Sequence, residues 1–231
     1  PTIVVKAGTY SEAIAVTGTQ TVTVVGPSAS SVAQNQVNVI ASGSNGVVNI
    51  ATSSTKGVTF KNLNLTNAAT DGTAPAVYIR GSKHGFYNCA LISGSTGVYY
   101  SSYGTALIAN SYIEGTNYLF TNYPTVYVYG STIVPTAPSA LIVYAKGVTT
   151  GANIGNSTVV IDSSSVAQKA GFANTNVFLA AANGNFTQVV YRNTNLGSLI
   201  ASSGFHPTSC SYIDFFGEFS NVGPSSYSAN A

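Results

Sequence analysis

A short pattern recurs along the chain and limits the folds open to it. In each copy an alternating apolar strand is followed by Asn or Gly, two further residues and another apolar residue. The turn residues are Asn62, Asn88, Asn110, Gly130, Asn156 and Asn193. Successive copies lie roughly 20 to 40 residues apart, and strand-only repeats with such a period are typical of solenoids.

The turn residues explain why the strands would stack. Asn and Gly tolerate the left-handed backbone that a sharp turn between two strands requires. Stacked turns would also let one Asn side chain bond to the next coil, while the alternating apolar residues pile up inside. We therefore predict an all-β chain folded as a parallel β-helix. The alternative is an antiparallel β-sandwich, for which SNGVV (44–48) and ANGNF (182–186) would supply the hairpin turns.

Charged residues are sparse and exclude several classes of partner. They make up 6% of the 231 residues, against about 25% in typical soluble domains. No basic run would neutralise nucleic-acid phosphates, and no apolar run of about 18 residues would span a membrane. No CxxC motif or Cys/His cluster indicates a zinc site. We predict one domain over residues 1–231, without metal, cofactor, nucleic acid or membrane partner.

Three sequons favour a secreted glycoprotein, and they begin at Asn64, Asn156 and Asn185. Asn156 is also a predicted turn residue, so Asn64 and Asn185 are the better glycan candidates. The chain has two cysteines, Cys89 and Cys210. They form either one disulfide that closes a long loop or two buried free thiols, and the sequence leaves both alternatives open.

Five segments, several of which overlap the repeats, carry a resemblance to a known family. They are VVKAGTYSEAIAV (4–16), GFYNCALISG (85–94), NSYIEGT (110–116), QVVYRNTNLGSLIASSGFHP (188–207) and FFGEFSNVGPSS (215–226). In this order they resemble the pectin methylesterases, or pectinesterases, which remove methyl esters from pectin. The resemblance implies a right-handed parallel β-helix, a single-stranded solenoid, in an extracellular protein of the cell wall.

The resemblance also implies a catalytic site, and this sequence departs from it at each position. The family uses two aspartates, two glutamines, an arginine and a tryptophan to attack the ester, transfer protons and stabilise negative charge. The matching positions hold Pro75 and Thr96 for the glutamines, Gly97 for the acid, Asn117 for the nucleophile, Ala181 for the arginine and Asn183 for the tryptophan. Without a one-residue gap, Tyr118 takes the nucleophile's place. We therefore predict that the chain is not an enzyme but an inactive homologue.

Tyrosines crowd the segments that would form the family's groove. Sugars stack on aromatic faces, and the Tyr hydroxyl adds a hydrogen-bonding group. The candidates for carbohydrate binding are Tyr99, Tyr100, Tyr103, Tyr118 and Tyr123. The alternative is that these are ordinary strand residues, because aromatic residues favour strands.

Three functions follow as hypotheses. The first, which we favour, is a secreted non-catalytic protein that binds a pectin-like polysaccharide. The second is a structural protein that self-assembles, because counterparts of the family's N-terminal cap and C-terminal extension are not found and open strand edges invite pairing. The third is a pectinesterase with an atypical active site.

Overall fold

The fold is built from three parallel sheets that the chain visits in turn. The computed structural model describes residues 1–53, 55, 57–70, 74–95, 97–145, 157–173, 175–182, 186–207 and 215–226. Within these ranges, the nine-stranded sheet contains β1 (Thr2–Val4), β4 (Val22–Val25), β7 (Val58–Lys61), β10 (His84–Tyr87), β13 (Thr105–Ala109), β16 (Thr125–Tyr129), β19 (Ser157–Asp162), β22 (Thr187–Arg192) and β24 (Phe215–Phe219). The eight-stranded sheet contains β2 (Gly8–Tyr10), β5 (Val37–Ala41), β8 (Asn64–Asn67), β11 (Ala90–Ser93), β14 (Tyr112–Gly115), β17 (Thr132–Pro135), β20 (Ser165–Val166) and β23 (Asn195–Leu196). The seven-stranded sheet contains β3 (Ile14–Val16), β6 (Val48–Ile50), β9 (Val77–Ile79), β12 (Tyr99–Ser101), β15 (Phe120–Asn122), β18 (Leu141–Ala145) and β21 (Phe178–Ala182).

Each strand pairs with its counterpart in the next coil. The pairings between the described strands are parallel, as between β10 and β13 and between β11 and β14. The predicted right-handed parallel β-helix is confirmed, and the antiparallel sandwich is wrong. The described helical structure is one 3-10 turn, Val32–Gln34. No helix in the described ranges has both the length and the apolar character needed to cross a membrane.

The core consists of rows of like side chains, one from each coil. In the nine-stranded sheet one buried row, aligned by strand register, contains Val24, Phe60, Phe86, Ile108, Val128, Ile161 and Tyr191. The rings of Phe60 and Phe86 stack with centroids 5.2 Å apart and planes 9° apart. Because each coil repeats the same inward positions, burial is continuous along the axis.

The left-handed turn residues lie between the nine-stranded and eight-stranded sheets, as the sequence pattern predicts. Their φ angles are 56° at Asn62, 52° at Asn88, 50° at Asn110, 57° at Gly130 and 50° at Asn193. The Asn88 amide donates a hydrogen bond of 2.9 Å to Asn62 Oδ1 in the coil before it. A Cβ at Gly130 would lie 2.7 Å from Asn110 Oδ1, so a larger residue here would displace the Asn110 side chain.

The left-handed turn after β19 is formed by Ser163, which has a φ of 49°. Asn156, which the sequence pattern predicts as a turn residue, precedes β19 and lies outside the described residues. The Ser163 hydroxyl donates to Asp162 Oδ1, which also accepts a bond from the Asn193 amide of the next coil. A short polar side chain that bonds locally can occupy this conformation in place of Asn.

A column of hydroxyl side chains runs from coil to coil, and each member directly follows a left-handed turn residue in the sequence. We call this set the hydroxyl column: Ser111, Ser131, Ser164 and Thr194. Each hydroxyl donates to the carbonyl two residues before it, over 2.7–3.0 Å in the four residues. Each also accepts the backbone N–H of the preceding coil, as Ser131 Oγ does from Ser111 over 3.1 Å. The column therefore satisfies backbone N–H groups that are buried between coils.

Cys89 occupies the same position one coil before Ser111. It is a buried free thiol, and its Sγ lies 3.4 Å from the Tyr87 carbonyl oxygen. This is the same contact, to the carbonyl two residues before, that the members of the hydroxyl column make. Burial raises the pKa of this thiol to about 12, so it remains protonated at neutral pH. Cys210, the candidate partner in the disulfide alternative, lies outside the described residues.

The sequon at Asn64 lies on β8, where its side chain is half-buried. Its amide donates to Asn38 Oδ1 over 2.9 Å, and its oxygen accepts from Asn35 over 3.2 Å. A glycan on this amide would compete with the bond to Asn38. Asn156 and Asn185 lie outside the described residues, so glycosylation stays a prediction.

His84 makes the stability of the fold sensitive to acid. Burial lowers the pKa of His84 below its usual 6.5, although the hydrogen bond to the Arg80 carbonyl opposes this shift. Both nitrogens of the neutral ring form hydrogen bonds. Nε2 donates to Arg80 O over 2.8 Å, and Nδ1 accepts from Val58 N over 3.3 Å. Below pH 6.5 the unfolded chain takes up a proton that the folded chain resists.

We therefore expect the contribution of His84 to the free energy of unfolding to be fully present above pH 6.5. It should decrease as the pH drops toward the lowered pKa of the folded state. Urea unfolding midpoints measured between pH 7.5 and 5.5 test this. The variant His84→Gln retains a donor and an acceptor but does not titrate, so its midpoint should depend less on pH. Equal pH dependence in both proteins would show that His84 is not the cause.

Candidate functional site

The outer face of the seven-stranded sheet carries one side chain from each coil in a straight row. Strand register aligns Asn49, Tyr78, Tyr100, Thr121, Tyr144 and Ala181. Successive strand residues point to opposite faces, so these residues face away from the core row that their neighbours form. Adjacent coils are about 4.8 Å apart, which places this row along one side of the solenoid.

Four tyrosines form an aromatic surface, which we call the tyrosine platform: Tyr78, Tyr100, Tyr103 and Tyr123. Tyr78 and Tyr100 stack with centroids 5.1 Å apart, and Tyr103 and Tyr123 stack at 4.5 Å, both pairs with planes 12° apart. Partial burial raises the pKa of Tyr100, Tyr78 and Tyr123 add to the shift, and Arg80 opposes it. The Tyr100 hydroxyl is therefore a neutral donor at physiological pH.

A cleft of about 580 Å³ lies at the edge of the sheet where its strands begin, and we call it the Asn117 cleft. It is lined by Asn117, Tyr118, Pro138, Ser139, Leu141, Tyr144, Phe178, Ala181 and His206. Tyr118 and Tyr144 stack at 4.4 Å, and the His206 ring meets Phe178 edge-on at 4.7 Å. His206 Nδ1 is buried and finds no hydrogen-bond partner among the described residues.

The Asn117 cleft brings together positions that lie far apart in the sequence. Asn117 and Ala181, two of the positions matched to the family's catalytic residues, both line it. Gly97 is buried directly beside it, since a Cβ there would lie 3.3 Å from the Tyr118 carbonyl oxygen. Pro75 is buried, and its carbonyl accepts the Asn67 amide over 2.7 Å. Thr96 and Asn183 lie outside the described residues.

None of the nine lining residues of the Asn117 cleft is acidic. The groups available to a ligand are the Asn117 amide, the Ser139 hydroxyl, the His206 imidazole and three aromatic rings. Such a mixture of aromatic faces and neutral hydrogen-bonding groups suits a sugar. Within the described part of the chain, no group of three or more His, Cys, Asp and Glu side chains is placed to hold a metal ion.

Four of the five tyrosines predicted to bind sugar lie at this surface, and the fifth lies in the core. Tyr100, Tyr103 and Tyr123 belong to the tyrosine platform, and Tyr118 lines the Asn117 cleft. The prediction for Tyr99 is wrong, because Tyr99 is fully buried in the core row beside Phe120. Tyr99 and Tyr100 are neighbours on one strand, so only one of them can face outward.

Three surface aromatics were missed: Tyr78, Tyr144 and Phe178. Tyr78 and Tyr144 align with Tyr100 through strand register, and Phe178 follows from the next coil. Alternation within PAVYIR (75–80) and ALIVYA (140–145) contains the signal, once the inward residues of each strand are assigned.

Comparison with known proteins identifies relatives of this architecture. The sequence model of a family described as Pectinesterase matches residues 1–231. No curated protein matches the chain. Among solved structures, the deglycosylated pectin methylesterase from Aspergillus niger shares 22% identity, with a TM-score of 0.87 over 99% of this chain and 78% of that one. Pectin methylesterase from carrot shares 17% identity, with a TM-score of 0.73 over 97% of this chain and 74% of that one.

A third structure, a pectin methylesterase in complex with a hexasaccharide, shares 15% identity, with a TM-score of 0.73 over 97% of this chain and 81% of that one. At these identities the structural matches show the fold, and the family match covers the whole chain. The family match points to an enzyme, so it contradicts the prediction that the chain is not one.

Proposed function

The chain belongs to the pectinesterase family, and from this premise we propose that it binds a pectin-type polysaccharide along the outer face of the seven-stranded sheet. The tyrosine platform and the Asn117 cleft would hold successive sugar units. A wall polysaccharide is met outside the cell, so the proposal also places the protein in the extracellular space. Self-association stays a prediction.

The observation that carries the proposal is the row of paired aromatic rings along one side of the solenoid. Three tyrosine pairs stack within 4.4–5.1 Å on this side. Flat aromatic faces pack against the C–H face of a sugar, while their hydroxyls reach its oxygens. A solved relative of the same fold is a pectin methylesterase in complex with a hexasaccharide, which supports a polymeric ligand.

We expect wild-type protein to bind pectin and Tyr100→Ala to bind it about tenfold more weakly, since removing an aromatic contact at a binding surface costs about 1–2 kcal/mol. The matched control is Tyr129→Ala. Tyr129 is 46% exposed, but it lies on β16 of the nine-stranded sheet, so affinity should not change. Calorimetry with soluble pectin oligosaccharides measures both. Absence of wild-type binding, or equal losses in the two variants, would refute the proposal.

The family match favours a second activity at the same place, hydrolysis of the methyl ester. In the Asn117 cleft, the Asn117 amide and the His206 ring are among the groups able to donate hydrogen bonds to a developing negative charge. Methanol release from highly methylated pectin measures this directly. Release above the buffer rate that falls in Asn117→Leu supports hydrolysis at this cleft. Release at the buffer rate refutes it and leaves the binding proposal standing.

A further inference from the structure

Arg80 is an exposed cation at the edge of the tyrosine platform. It follows β9, and its Nη2 donates to the Tyr78 hydroxyl over 3.1 Å while its guanidinium lies 5.7 Å from the Tyr78 ring. Within the described residues Arg80 forms no ion pair with a carboxylate. The ring contact fixes the guanidinium, and its remaining N–H groups stay available to a ligand.

A cavity of about 410 Å³ opens beside this guanidinium, and we call it the Arg80 pocket. It is lined by Ser53, Arg80, Gly81, Ser82, Ser102 and Tyr103. It lies at the edge where the strands of the seven-stranded sheet end, opposite the Asn117 cleft. Its lining offers one cation, three serine hydroxyls and one tyrosine ring with its own hydroxyl, and none of the six residues is acidic. This composition favours a sugar that carries a negative charge.

Tyr103 is held in the wall of the Arg80 pocket at a conformational cost. Its φ is 63°, in the left-handed region that bulky residues avoid. The turn is fixed by Ser101, whose hydroxyl accepts the Gly104 N–H over 2.9 Å and donates to the Gly104 carbonyl over 3.1 Å. The ring is 54% exposed and stacks on Tyr123. A strained residue that presents an aromatic face to solvent beside a cation is typical of a binding site.

We propose that the Arg80 pocket binds a uronic acid unit through its free carboxylate, with Arg80 pairing the carboxylate and Tyr103 stacking on the sugar ring. This inference rests on the proposed polysaccharide binding. It adds that the protein prefers polymers with free carboxylates over fully methyl-esterified ones. A planar guanidinium matches a carboxylate with two parallel hydrogen bonds, and a methyl ester lacks the charge and one of the acceptors.

The test compares Arg80→Gln with wild type on two ligands, polygalacturonate and fully methyl-esterified polygalacturonate. Arg80→Gln should lose about tenfold in affinity for polygalacturonate, the size expected of one charge-assisted contact near solvent, and should bind the esterified polymer unchanged. Arg80→Lys should recover part of the loss as a point charge. The control Lys83→Gln removes an exposed positive charge three residues away that does not line the pocket, and should bind both ligands like wild type.

The outcomes separate the two proposals. Wild-type protein that binds neither polymer refutes polysaccharide binding itself. Wild-type binding with equal effects of Arg80→Gln on both polymers, or with equal losses in Arg80→Gln and Lys83→Gln, refutes the carboxylate site and keeps polysaccharide binding. Thermal unfolding of each variant confirms that it is folded before affinity is compared.

Discussion

Replacing Phe86 with alanine is expected to lower the free energy of unfolding by about 3–5 kcal/mol, the range for truncating a buried phenylalanine. Phe86 is fully buried on β10, stacked on Phe60 of the coil before it and aligned with Ile108 of the coil after it. The backbone hydrogen bonds of three neighbouring coils hold the spacing of this row. The core should therefore relax little around the missing ring, which leaves a cavity between coils.

The matched control is the same change at an exposed site, Phe172→Ala. Phe172 is 43% exposed, and its ring contacts Lys169 Nζ at 5.2 Å. Its loss should cost about 1 kcal/mol or less. Urea titrations followed by near-ultraviolet circular dichroism measure both variants. Similar losses in the two proteins would mean that the stacked row does not dominate stability.

Replacing Gly81 with alanine is expected to cost about 2–5 kcal/mol, from backbone strain and from overlap with a neighbouring coil. Gly81 has a φ of 82°, and a Cβ built there would overlap with the carbonyl oxygen of Thr55. That carbonyl accepts the Ser82 N–H over 3.4 Å and belongs to the backbone, so it has little freedom to move aside.

Gly171→Ala separates the two contributions. Gly171 has almost the same φ, 81°, but an added Cβ would meet nothing within 4 Å. The free energy of unfolding of this variant should fall only by the cost of the backbone strain, about 1–2 kcal/mol. The difference between the two unfolding free energies then measures the overlap at Thr55. If Gly81→Ala were no less stable than Gly171→Ala, the coils at this turn would be more compliant than the structure indicates.

The fold was predictable because it repeats. The left-handed positions at Asn62, Asn88 and Asn110 follow from residue type alone, since Asn adopts this conformation more readily than other side chains. Ser163 was not predictable in this way. Its conformation depends on Asp162 and on the Asn193 amide of the next coil, and a single-sequence pattern does not contain contacts between coils.

The site was predictable only in part, for a related reason. Residue alternation separates Tyr100 from Tyr99, and applying it strictly would have corrected that assignment. In the turn that exposes Tyr103, the left-handed residue is Tyr103 itself and not the adjacent Gly104, so residue type does not predict it. The pairing of Tyr118 with Tyr144 joins two coils, so it becomes visible only when the strand register is known.

The hydroxyl column implies that this fold can be lengthened by whole coils. A coil fits its neighbours when a left-handed residue is followed by a hydroxyl residue, as in Asn110–Ser111 and Gly130–Ser131. Duplicating the segment between two such pairs would add one rung and about 4.8 Å of outer face, without new kinds of contact. Such a duplication would thereby lengthen the outer face that we propose as the polysaccharide-binding surface.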